Sequence, residues 1–372
     1  MSTGQYDLAS YNEKRIRIVS PPHYAHTLPL AMGDCVQALK PALYLARTIC
    51  LIVLVTTTAH AEPGYQYFVT GNADNVSTPT RGLLVLQGGG TDVDENYRRM
   101  AKHSGGGDFL VLRASGADEY NGYIYDLCGC DSVETLVFEN RDAASDPFVI
   151  ETIRNAEALF IGGGDQSRYV RYWKGTPVED AIHHVAAKPA PVGGTSAGMA
   201  ILGEFAYSAM SDASLTSDAA LLNPFASDLT LERDFLALPK LANIITDQHL
   251  QERDRIGRTV ALLARLLQDG WTPEGRAIAA DRETSLHVDP LTASARVFST
   301  ADHETPYVYF MRTQRRPDVC APETPLTLRD VEVHRLGPGE TFDLEAWSSR
   351  DGITYTLNAE QGVLSSSRGE IY

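Results

Sequence analysis

Short apolar runs alternate with helical patterns from about residue 80 to residue 290, and that rhythm constrains the fold more than any other feature. Gly82-Leu83-Leu84-Val85-Leu86, Phe109-Leu110-Val111-Leu112, Thr135-Leu136-Val137-Phe138 and Ala158-Leu159-Phe160-Ile161 are short, predominantly apolar runs. Runs of this kind are strands buried on both faces, and strands interleaved with helices build a parallel sheet covered on both sides. Two of them end in glycine clusters, Gly88-Gly89-Gly90 and Gly162-Gly163-Gly164, and Pro191-Val192-Gly193 enters a third glycine-rich segment. A helix is expected over 178–187 and a strand over 241–246. After residue 255, Ile256, Val260, Leu263 and Leu267 share one helical face, and Gly270 stops that helix.

Beyond about residue 290 the pattern turns to short β-rich runs, such as Tyr307-Val308-Tyr309-Phe310 and Ile353-Thr354-Tyr355-Thr356-Leu357. Turns at Gly337-Pro338-Gly339 and Asp351-Gly352 separate them. The expected organisation is an α/β catalytic domain over 62–290 and a small β-rich extension over 291–372 packed on the main sheet. Residues 1–61 read differently. Lys40 and Arg47 precede an apolar run from Ile49 to Val55, and Ala59-His60-Ala61 fits a small-residue cleavage site. The run is shorter than the roughly 20 residues that span a bilayer. It reads as a secretion signal, with periplasmic or secreted localisation and no stable membrane insertion once the signal is removed. Translation starting at Met32 would leave a leader of ordinary length.

Gly194-Thr195-Ser196-Ala197-Gly198 follows an expected strand and precedes a small-residue helix, which is the context of a G-x-S-x-G nucleophile elbow. A sharp strand-to-helix turn strains the serine and exposes its Oγ. The N–H of Ala197 then lies at a helix N-terminus facing developing negative charge. A serine nucleophile needs a base, and His249, in Asp247-Gln248-His249 after a strand, would emerge at the same sheet edge as Ser196. His183 and His184 fall within a helix, and His287 reads as a strand position. A third, acidic group should hold the imidazole tautomer. Asp212 and Asp218, both between Ser196 and His249, are the candidates, and their spacing does not separate them. Gly164, in Gly162-Gly163-Gly164-Asp165-Gln166, would supply a second oxyanion N–H, since glycines at a strand end let the backbone approach a carbonyl closely.

Neither a G-x-G-x-x-G loop nor a Walker lysine follows these turns, so no nucleotide cofactor is expected. The formal net charge of −16 argues against a nucleic-acid partner, which needs a basic face. Outside the leader the chain keeps Cys128, Cys130 and Cys320, with no C-x-x-C pair, so no zinc site is expected. Cys128 and Cys130 are too close for an easy mutual bridge, which leaves either as a partner for Cys320.

Over about residues 80–290 the motifs resemble those of cyanophycinases, in the serine peptidase family that also includes the aspartyl dipeptidases. The resemblance rests on Gly163-Gly164-Asp165-Gln166, on the elbow at Ser196, on Asp247-Gln248-His249 followed by Arg253, Arg255 and Arg258, on Ala280-Asp281-Arg282-Glu283-Thr284, and on Gly88-Gly89-Gly90-Thr91-Asp92. It implies a class I glutamine-amidotransferase-like, flavodoxin-like sandwich. It also implies hydrolysis of β-aspartyl-linked peptides, with β-aspartyl-arginine as the product from cyanophycin. The relatives place the triad acid in a threonine-rich loop after the elbow, which favours Asp218 over Asp212. Gln166, Asp247, Gln248, Arg253, Arg255 and Arg258 become the expected substrate contacts, and a homodimer the expected assembly. Two other readings use the same elbow: an α/β-hydrolase esterase, and an exported binding protein of this fold without turnover.

Overall fold

The computed structural model describes residues 63–211, 214–300 and 306–372. The expected leader over 1–61 and Asp212 lie outside the described residues. The strands of the first half are β1 (Tyr65–Gly71), β2 (Leu83–Gln87), β3 (Asp108–Arg113), β4 (Ser132–Phe138), β5 (Ala158–Ile161) and β6 (Pro191–Thr195). Then come β7 (Ala206–Tyr207), β8 (Leu231–Glu232), β9 (Ile244–Gln248), β10 (Gly275–Ala280), β11 (Thr284–Val288) and β12 (Ser294–Ser299). The last are β13 (Val308–Thr313), β14 (Leu328–Leu336), β15 (Thr341–Asp343), β16 (Ile353–Glu360) and β17 (Val363–Ser366). The helices are α1 (Asp94–His103), α2 (Asn121–Cys128), α3 (Pro147–Asn155), α4 (Gln166–Trp173), α5 (Pro177–Ala187), α6 (Ala197–Ala200), α7 (Ser217–Leu222) and α8 (Ile256–Gln268).

A nine-stranded sheet runs β1-β4-β3-β5-β6-β2-β11-β12-β15. Its centre, β4-β3-β5-β6-β2, is parallel, and the strands on either flank are antiparallel. Side chains along these strands divide between two apolar layers, as the period-2 pleat requires. Leu84, Leu86, Leu110, Leu112 and Ile161 pack with Trp173, Ile182 and Val185 on one face. Leu83, Val85, Phe109, Val111 and Phe160 pack with Tyr97, Met100 and Ile124 on the other. Because both faces are covered, β2 and β5 are buried throughout, and their sequences read as unbroken apolar runs. The molecule is of the α/β class.

A second sheet, β17-β16-β14-β13-β10-β9, joins residues 291–372 to two strands from before residue 290. Only β9 and β10 are parallel in it. The 291–372 segment also supplies β12 and β15 to the first sheet. One face of the second sheet joins the first core through Ile278, Ala280 and Phe310. Its other face, with Ala277, Ala279, Tyr309 and Val333, packs with α8. That helix is buried nearly all round, beyond the single apolar face that the spacing of Ile256, Val260, Leu263 and Leu267 marks.

Cys320 packs in this second core, while Cys130 packs under α1 and α2 of the first. All three described cysteines are free, and Cys130 and Cys320 belong to different cores. Among the described residues no helix is long and apolar enough to cross a membrane, and no cluster of potential metal ligands is present.

Candidate active site

β6 runs buried into Ser196, and α6 starts at the next residue. Ser196 holds φ 51° and ψ −116°, a conformation that costs a non-glycine residue about 1–3 kcal/mol and persists only where the surroundings enforce it. The surroundings do so through Gly194 and Gly198. A Cβ on Gly194 would sit 2.7 Å from the Gly198 carbonyl carbon, and one on Gly198 would overlap the Ile161 carbonyl at the end of β5. The Ser196 N–H donates to the Gln87 carbonyl of β2 at 3.0 Å, pinning the turn to the neighbouring strand.

Ser196 Oγ lies 2.9 Å from His249 Nε2, and His249 Nδ1 lies 2.8 Å from Glu252 Oε2. The structure thus brings Ser196 and His249 together, but from two sheets rather than one edge of a single sheet: β9, which delivers His249, belongs to the second. The sheets are joined at this point. Thr246 Oγ1 donates to the Met199 carbonyl at 2.7 Å, and the His249 N–H donates to the Gly88 carbonyl at 2.9 Å. Gly89, at φ +102°, lies so close that a Cβ there would overlap the His249 imidazole. The Gly88-Gly89-Gly90 turn therefore seats the ring, and only a residue without a side chain leaves room for it.

The acid expected at Asp218 is not at the imidazole. Asp218 is exposed on the first turn of α7, and the Nδ1 position is filled by Glu252. The physical reason is local. After β9 the chain reverses through His249 at φ 50°, with Arg253 N–H donating to the His249 carbonyl at 3.1 Å. This tight turn folds the side chain three residues on back over the ring. Burial lowers the His249 pKa below its ordinary value, Glu252 opposes that shift, and the positive charges of Arg253 and Arg255 reinforce it. Burial raises Glu252, but its bond to His249 and the charges of Arg253 and Arg282 leave the carboxyl below the usual range.

The cleft beside Ser196 is lined by Gly164, Asp165, Gln166, Tyr207, Ser214, Gln248, Arg253 and Arg255. Gly164 takes φ +140°, and a Cβ on Gly163 would rest 3.5 Å from Ser196 Cβ. The Tyr169 hydroxyl donates to the Gly162 and Gly163 carbonyls at 2.8 and 3.2 Å. In a trans peptide the N–H points opposite to the C=O, so the Gly164 N–H is directed away from Tyr169. Asp165 accepts from the Ser167 N–H at 2.9 Å and caps α4. Arg255 is buried, donating to the Gln248 side chain and to Ser214 Oγ, the latter at 2.8 Å. Burial, with Arg258 beside it, pushes its pKa down to about 10. Arg253 stands half-exposed at the rim.

Asp247 and Arg258 depart from the expected substrate contacts. They are 1% and 0% exposed and form an internal ion pair, with Thr259 Oγ1 donating to Asp247 at 2.8 Å. Arg258 also lies over the Tyr207 ring, 4.6 Å from its centre. A buried charge needs a partner, and each of these is the other's, so neither side chain reaches the cleft. Sequence reading missed Glu252, and it named Gly89 in a glycine-rich turn without its contact to the imidazole. Glu252 sits three residues after His249, while the search for an acid covered only the segment between Ser196 and His249.

A family model described as peptidase family S51 matches residues 117–223, a span that includes Gly164, Gln166 and Ser196. The cyanophycinase of Trichormus variabilis is 26% identical over 225 residues, covering 59% of this chain and 68% of that protein. The cyanophycinase of Geminocystis herdmanii is 25% identical over 231 residues, 62% of this chain and 78% of its own. A solved peptidase from an acI-B1 Actinobacterium aligns over 71% of this chain and 98% of that one, at 16% identity and a TM-score of 0.49. The chain is thus similar to peptidases of family S51 over residues 117–223 and to cyanophycinases over about three fifths of its length.

Proposed function

We propose that the protein cleaves β-aspartyl-linked peptides through an acyl-enzyme, with Ser196 as nucleophile and His249 as base and then acid. Glu252 orients the imidazole and balances its charge, and the Ala197 and Gly164 N–H groups receive the oxyanion. The observation that carries this reading is the continuous Ser196–His249–Glu252 contact chain at a strained elbow. In acylation, Ser196 Oγ bonds to the substrate carbonyl carbon as its proton passes to Nε2. That proton then leaves on the departing amine, and water repeats the sequence to release the acid. The substrate class follows the cyanophycinase relatives. In this chain Gln166, Gln248, Arg253 and Arg255 give the cleft the hydrogen-bond donors and positive charge that suit a carboxylate-bearing residue. Export rests on the sequence at 41–61, and N-terminal sequencing of protein recovered outside the cytoplasm tests it.

The test of the reaction is incubation with insoluble cyanophycin, beside the Ser196→Ala variant. Release of β-aspartyl-arginine by the protein and not by the variant is the expected result. A folded protein that releases no dipeptide but is modified at Ser196 by a fluorophosphonate would keep the serine chemistry and discard that substrate.

A further inference from the structure

Among the buried carboxylates that the mechanism does not use, Asp281 lies directly under the turn that carries the base and its acid. Asp281 follows β10 and is 1% exposed. Its Oδ1 accepts from the Gln251 N–H at 3.0 Å, and its Oδ2 accepts from the Tyr307 N–H at 3.4 Å. Gln251 lies between His249 and Glu252 in sequence, so the amide that Asp281 holds is inside their own turn. Two backbone bonds accompany it: Leu250 N–H to the Ala280 carbonyl at 3.3 Å, and Asp281 N–H to the Tyr307 carbonyl at 3.0 Å. The Asp281 carbonyl in turn lies against Gly88, where no Cβ would fit.

This carboxyl is costly to bury. Burial pushes its pKa up to about 7, opposed by the Gln251 and Tyr307 amides, by Arg335 and by Tyr309. A buried polar group that only filled space would be less costly as an apolar one. What Asp281 adds is a fixed direction for the Gln251 amide, and through it a fixed placement of Glu252 relative to His249.

We propose that Asp281 is a positioning residue for hydrolysis, anchoring the His249–Glu252 turn to the start of β13 so that Glu252 meets Nδ1 and Nε2 meets Ser196. It touches no substrate and acts through Gln251. The proposal rests on the Ser196–His249–Glu252 reading, and its test separates the two.

The test is a double-mutant cycle on the rate of Ser196 modification by a fluorophosphonate, using the full chain with Asp281→Ala, Glu252→Gln and both together. A residue acting through the Glu252 contact shows strong non-additivity with it. Asp281→Ala is expected to slow modification about tenfold alone, and by less than about threefold when Glu252 is already glutamine. Asp281→Asn, which can still present an oxygen to Gln251, should recover part of the rate. It also carries the cycle if the alanine variant fails to show a cooperative melt. Equal losses in both backgrounds, or a rate within about twofold of the parent, would overturn the proposal. A parent protein that is not modified at Ser196 would overturn the nucleophile assignment, a failure visible before any variant is compared.

Discussion

The two halves of the candidate active site are built differently. The nucleophile half stands on β6 in the nine-stranded sheet, and local sequence sets its geometry: Gly194, Ser196 and Gly198 sit within five residues, and each glycine prevents a specific backbone clash. The base half stands on β9 in the second sheet. It is held by contacts from distant parts of the chain: Gly88 and Gly89 from the end of β2, and Asp281 from the end of β10. The comparison teaches that a strained turn can be written in five residues, whereas the placement of an imidazole against it is a tertiary property.

The largest effect should come from the nucleophile half. Ser196→Ala should lower turnover by about 10⁴-fold or more with an unchanged melting profile, as loss of a triad nucleophile does. Glu252→Gln breaks the comparison from the other side. It should reduce kcat by about 10²–10³-fold, less than a buried triad aspartate, because the Glu252 side chain is 37% exposed and water partly replaces it. Asp218→Asn, by contrast, should leave kcat within about twofold, since surface substitutions away from the site have small effects. Steady-state assays of the three variants decide between the acid in contact with Nδ1 and the one that the family resemblance favoured.

Gly89→Ala probes whether the β2 turn seats the ring. Its new methyl overlaps the imidazole, and the position has a φ of +102°. A displacement of about 1 Å in a catalytic group can cost about 10²-fold, and kcat should fall by that order. The pH profile gives the smallest effect. The proposed hydrolysis needs neutral His249, and burial holds its pKa below the ordinary 6.5. The acid limb of kcat/KM should therefore have its midpoint below 6.5. Glu252→Gln removes a contribution that raises this pKa, so the midpoint should move lower still.

The contrast also explains what was legible in the sequence. The parallel core was readable because strands buried on both faces leave unbroken apolar runs, as at Ala158–Ile161. Ser196 was readable because its turn is local. The second sheet was not, since β9 and β10 look like any other α/β strands and only their pairing to β13 and beyond sets them apart. Glu252 was hidden for a related reason. An acid three residues after the base is functional only if the turn folds back, and His249 at φ 50° is not announced by any glycine. Asp247 and Arg258 carry charges that suggest a ligand site, and only their burial shows that they satisfy each other.

The central claim is that Ser196, His249 and Glu252 act as one unit assembled from two sheets. The most direct measurement is mass-spectrometric mapping of the fluorophosphonate adduct, with its rate followed in the parent, Glu252→Gln and Asp218→Asn proteins. The account predicts an adduct on Ser196 that forms at least about tenfold more slowly in Glu252→Gln and at the parent rate in Asp218→Asn. An adduct elsewhere, or a rate that Asp218→Asn lowers and Glu252→Gln does not, would contradict it.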